Sequence, residues 1–141
     1  MKPFIIFAFL LISPIAMLSQ SLSEYKWQNR LLVIFTESEN SSELQKQVQI
    51  FDKKKNELED RKLKVIHSVP GKYQVIFPEK STWKNSNLYE KMEISEAGFE
   101  IILIGLDGTV KLRQPELLKT KKLFSLIDSM PMRQAEIRNG N

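Results

Sequence analysis

The chain of 141 residues has a single imidazole, His67, and no cysteine, so the side chains that most often do chemistry are scarce. The lack of cysteine excludes thiol catalysis, iron–sulfur ligation, thiolate zinc sites and disulfides. One histidine also excludes a multi-histidine metal site within the chain. To act as a base, His67 would need a nucleophile and an orienting carboxylate close in space. Its neighbour Ser68 falls on the opposite face of any strand they share, and no G-x-S-x-G elbow is present. A structural or merely exposed role is the reading we take for His67. Glu37, Glu39 and Glu43 suggest a calcium or magnesium site, but no D-x-D-x-D spacing supports one. Carboxylates at a helix start are equally explained by the helix dipole.

The basic clusters Lys53-Lys54-Lys55 and Lys119, Lys121, Lys122 point to polyanions at first sight. Glu57, Glu59 and Asp60 lie one turn from the first cluster, and a solvated helix face accounts for it. The net charge of +4 is too small to argue for nucleic acid. The five glycines form neither a G-x-G-x-x-G nor a G-x-x-x-x-G-K loop, so a nucleotide site is not expected. The most distinctive set is Trp27, Arg30, Lys111, Arg113, Met130 and Arg133. We favour for it the task of locking the N-terminal segment and the MPMR turn onto a sheet, by stacking and guanidinium–carbonyl contacts. The sharper alternative is a partner-recognition patch, with Trp27, Arg30, Lys111, Arg113 and Arg133 as candidate binding residues.

These residues need elements to hold them. Residues 1–20, MKPFIIFAFLLISPIAMLSQ, have one charge, then an apolar run broken by Ser13-Pro14, the layout of a secretory signal peptide cleaved near Ser19 or Gln20. The run is too short for a stable membrane span. Its removal leaves 20 basic and 17 acidic residues, a net charge of +3. Residues 21–141 read as one domain. Leu31 to Phe35 is continuously apolar, as in a strand buried on both faces. Ser42 with Gln45 makes a capping box that opens one amphipathic helix from about Glu43 to Asp60. Leu63 to Val69 reads as a second strand, Pro70-Gly71 as a turn, and Tyr73 to Phe77 as an edge or half-buried strand. Lys84 to Met92 reads as a short helix and Phe99 to Ile104 as another buried strand. Asp107-Gly108 marks a hairpin. Pro115 is expected to open a last helix that Pro131 closes, leaving a polar tail whose last residues are loose.

The blocks YKWQNRLLVIF, FEIILIGLDGTVKLR and LFSLIDSMPMRQAEIR make the chain resemble the bacterial domain-of-unknown-function family 4174, related to the repeats of equarin and of sushi-repeat extracellular proteins. The resemblance implies an α/β, thioredoxin-like and peroxiredoxin-like fold, a central mixed sheet flanked by helices. In redox-active relatives the working cysteine follows the first central strand. The corresponding stretch here is Thr36 to Ser42, where Ser38 and Ser41 keep the two-residue gap of a C-x-x-C pair. A hydroxyl forms neither a disulfide nor a sulfenic acid, so the resemblance implies a redox-inactive domain.

The resulting expectation is an exported, periplasmic or secreted, non-catalytic binding module. It needs no cofactor, and its partner is an envelope or extracellular protein. One alternative is an enzyme that uses carboxylates and arginines, recognisable by a perturbed carboxylate facing Arg30 or Arg113 in a deep pocket. Another is a module associated with envelope polysaccharide. The sequence sets no oligomeric state.

Overall fold

A computed structural model describes residues 22–96 and 98–140 of the chain, so the signal-peptide reading of residues 1–20 lies outside the described residues. The described residues form a six-stranded mixed sheet in the order β4-β3-β2-β1-β5-β6. The strands are β1 (Arg30–Thr36), β2 (Leu63–Val69), β3 (Lys72–Phe77), β4 (Lys84–Asn85), β5 (Phe99–Ile104) and β6 (Val110–Gln114). The helices are α1 (Ser42–Asp52), α2 (Lys55–Asp60), α3 (Leu88–Lys91), α4 (Thr120–Asp128) and α5 (Pro131–Arg138). A 3-10 turn at Ser23–Tyr25 precedes them. The whole is a single compact α/β domain.

The continuous apolar run of β1 places it at the centre, because every one of its residues is buried. β1 runs parallel to β2, with Leu32 opposite Val65, and antiparallel to β5, with Leu32 opposite Leu103. Leu32 and Ile34 point to one face, where Phe51 of α1, Leu58 of α2 and Leu123 and Ile127 of α4 cover them. Leu31, Val33 and Phe35 point to the other, where they join Tyr73 and Val75 of β3 and pack with Tyr25 and Leu88. Alternation along the strand thus fills two cores from one segment. Pro70-Gly71 turns β2 into β3 as expected, with Gly71 at a φ of +83° that only glycine takes without strain. β3 is half-buried.

Four expectations need correction. The helix foreseen over Glu43–Asp60 is two helices, broken where Lys54 leaves helical geometry at φ −133°, ψ 33°. Adjacent lysines suit a helix C-terminus, where they meet the negative end of the dipole. The cap of α1 is Ser41, not Ser42: its hydroxyl accepts from the Leu44 amide at 3.2 Å. The helix foreseen over Lys84–Met92 shrinks to α3, because Lys84 and Asn85 pair with Tyr73 and Lys72 of β3. The largest departure is at the C-terminus. Residues 115–119 are not helical, and Gln47 holds them by giving its amide to the Leu118 carbonyl at 2.8 Å and accepting the Leu118 amide at 2.7 Å. Pro131 follows the end of α4, as expected, but it also opens α5 from the first turn, where its missing amide is harmless. Most of the polar tail is therefore a docked helix, whose buried side chains are Arg133 and Glu136.

Candidate functional site

The residues singled out from the sequence divide between three places. Arg30 opens β1 and is 1% exposed. Its Nη1 donates to the Arg61 carbonyl at 2.9 Å and to Glu136 at 3.2 Å. Arg133 reaches the same Glu136 carboxylate at 3.2 Å, Asp60 at 2.6 Å and Asp128 at 3.2 Å. Asp128 also receives two hydrogen bonds from Arg61. Burial alone would raise the Asp128 carboxyl, but the hydrogen bonds from Arg61 and Arg133 outweigh it and hold the group below the usual range. This network pins α5 and the MPMR turn to the start of β1 and the end of α2. Arg30, Lys111 and Met130 also border one cavity of about 270 Å³.

Trp27 lies at that same end of β1. It is exposed, at φ +67°, and donates its amide to the Leu106 carbonyl at 2.7 Å. Lys111 pairs with Asp107 at 3.1 Å. Arg113 stands apart on the other face. It pairs with Glu100 and donates to the carbonyls of Met92 and Glu93 at 2.6 and 2.9 Å. Burial acts to raise the Glu100 carboxyl, yet the bonds from Arg113 and the Ser95 amide lower it overall. Arg113 thus ties Glu100 to the segment after α3.

The acidic trio does not converge. Glu39 pairs with Lys72. Glu43 accepts from the hydroxyls of Ser41 and Ser42. Glu37 packs against Gly98, with a side-chain carbon 3.3 Å from where a Cβ would stand. Among the described residues no group of three or more His, Cys, Asp or Glu is placed to hold a metal ion. Nor is any helix there long and apolar enough to cross a membrane.

The arrangement with most chemical content lies where the carboxyl ends of β1 and β2 meet the start of α1, the place where open α/β sheets usually bind ligands. His67 is 2% exposed there, with Nε2 2.7 Å from the Thr36 hydroxyl. The single hydroxyl proton of Thr36 is donated to the Ser38 carbonyl at 2.7 Å, so Nε2 must be the donor to Thr36. His67 is thereby fixed as the Nε2–H tautomer, leaving Nδ1 as a lone-pair acceptor. Burial pushes its pKa down to about 4, so the ring is neutral at physiological pH. Ser68 does face the other side of the sheet, as expected, and its buried hydroxyl finds no partner among the described residues.

A cleft of about 560 Å³ opens beside His67. α1 supplies Gln45 and Gln49 and the preceding loop Asn40; β3 supplies Gln74; Trp83 closes one side. The Trp83 ring meets the imidazole at 5.5 Å, and the Lys72 ammonium sits 4.8 Å from the indole centre. Gln74 is oriented by donating to the Ser81 carbonyl at 2.7 Å. Sequence reasoning missed Trp83 and the three glutamines. The available signal was Gln45 and Gln49, one helical turn apart, directly after the first central strand.

No curated protein and no solved structure matches the chain. A family model does, over residues 21–136, most of its length. The chain belongs to the family described as Domain of unknown function (DUF4174).

Proposed function

We propose that the chain is an exported, redox-inactive domain of thioredoxin-like architecture that works by binding, with the His67 cleft as its site. Support for the architecture comes from the order β2-β1-β5-β6, in which β5 alone runs against the other three. Packing of α1 and α4 on one face and α3 on the other agrees with it. The kinship with equarin and sushi-repeat proteins belongs to this proposal, resting on the sequence blocks alone. Export rests on the charge and apolar pattern of residues 1–20.

One observation carries the binding reading. At the loop after β1, where redox relatives keep cysteine, Ser41 spends its hydroxyl on capping α1 and the Ser38 hydroxyl accepts from the Asn40 amide. The neighbouring cleft is nonetheless open and lined by hydrogen-bonding groups. Such a site can desolvate and orient a ligand, and it presents no thiol to react with it. The partner we expect is a component of the envelope or the extracellular space.

The test uses the two tryptophans, which lie at opposite ends of β1. With the indole nitrogens labelled, envelope extract is titrated into the protein. Movement of the Trp83 indole resonance with Trp27 unmoved supports the reading. An unresponsive Trp83, or disulfide or peroxide turnover at enzyme-like rates, overturns it. Recovery of the protein with an N-terminus at Met1 overturns cleavage of the export signal.

A further inference from the structure

We infer that the His67 cleft takes a saccharide of one or two rings, an inference that rests on the binding reading above. The cleft concentrates polar atoms with no partner of their own. Among the described residues the His67 Nδ1, the indole N–H of Trp83 and the side-chain amides of Asn40, Gln45 and Gln49 make no hydrogen bond within the protein. Each amide offers both donors and an acceptor, Nδ1 adds an acceptor and the indole a donor. A ligand that satisfies such an alternating set must itself donate and accept many times over a small volume. Hydroxyl groups on a pyranose do this, since each is one donor and two acceptors.

Charge and shape narrow the class further. Among the described residues the one carboxylate at the cleft, Glu39, is taken by Lys72, so a cationic ligand finds little complement there. Leu44, Val48, Ile76 and the indole supply an apolar strip suited to the C–H face of a sugar ring. A volume of about 560 Å³ falls within the range of small-molecule sites.

A peptide is the competing occupant, and the edge of β3 argues against it. Peptides dock on sheets by adding a strand, which requires free backbone groups. Lys72 and Tyr73 are already paired with β4. The amide of Val75 is bonded to the Ser81 hydroxyl at 3.0 Å and its carbonyl to the Ser81 amide at 2.9 Å. The backbone beside the cleft is therefore closed, and its free groups are side chains.

The experiment titrates indole-labelled protein with cellobiose, maltose and N,N′-diacetylchitobiose, and in parallel with a neutral alanine tripeptide. The expected result is a saturable shift of the Trp83 resonance with at least one saccharide, Trp27 unmoved. Gln45→Leu with Gln49→Leu, two exposed positions, should then weaken binding about tenfold with the far-ultraviolet spectrum unchanged. Trp83 responding to the tripeptide or to envelope extract but to none of the saccharides overturns the saccharide inference and leaves the binding reading standing. Silence towards all of them overturns both. Saccharide binding unaffected by the double variant overturns the placement in this cleft.

Discussion

Removing the Glu136 carboxylate tests whether charge pairing, rather than apolar packing, docks the C-terminal helix. In Glu136→Ala, Arg133 keeps Asp60 and Asp128, but Arg30 loses its carboxylate partner and retains only the Arg61 carbonyl. Arg30 is 1% exposed and, among the described residues, its Nε has no partner, so its charge is poorly hydrated. Breaking a buried pair on one side costs about 3–5 kcal/mol, since the surviving ion stays desolvated. Against a total stability of about 5–15 kcal/mol this is a large loss. For a domain of this size it lowers Tm by roughly 10–20 °C. Urea and thermal unfolding followed by circular dichroism measure it. Lys62, half-exposed and 3.8 Å from Glu136, is the control, and Lys62→Ala should cost under about 1 kcal/mol. The paired change Arg30→Met with Glu136→Leu removes both ions and should recover most of the loss. If Glu136→Ala costs less than about 1 kcal/mol, or the paired change is as damaging as the single one, the reasoning is refuted.

His67 makes stability depend on pH with a definite sign. Its folded pKa is about 4, held down by burial, against about 6.5 unfolded. The unfolded chain therefore takes the proton first, and its contribution, complete above pH ~6.5, is lost as pH falls towards about 4, by at most about 3 kcal/mol. His67→Gln should flatten urea-derived stability across that window; an unchanged slope would contradict the assignment. Gln47→Ala leaves the amide and carbonyl of Leu118 without partners and should cost about 2–4 kcal/mol. Hydrogen exchange at the Leu118 amide should accelerate with it. Ser41→Ala should cost about 1 kcal/mol and Ser42→Ala clearly less; the reverse order in chemical denaturation would return the cap to Ser42.

The features legible in the sequence are those whose causes are local. Leu31 to Phe35 reads as a central strand because burial on both faces leaves no polar position in it. Asp107-Gly108 reads as a turn because the Asp107 carboxylate binds the amide and hydroxyl of Thr109, two residues on, and Gly108 supplies φ +82°. The bond from the Thr109 amide, then those from the Thr109 hydroxyl and Lys111, also hold the Asp107 pKa down to about 2, a short-range effect within one loop.

What escaped was held by partners distant in the chain. Apolar periodicity could not find the role of α5, because that helix buries Arg133 and Glu136, and the arginine that explains Glu136 lies 106 positions earlier. Helix periodicity weighs residues by hydrophobicity, so a helix docked through ions reads as a solvated tail. The cleft escaped for a related reason. Gln45 and Gln49 belong on the polar side of α1 by any amphipathic reading, and only the parallel register that sets His67 opposite Ile34 brings Thr36 and the imidazole together at the mouth of that helix. A glutamine on a helix surface carries no mark of whether it faces water or a ligand. The mark comes from the strand ends beneath it, and here these place a buried neutral imidazole, with one nitrogen committed to Thr36 and the other free, beside those two amides.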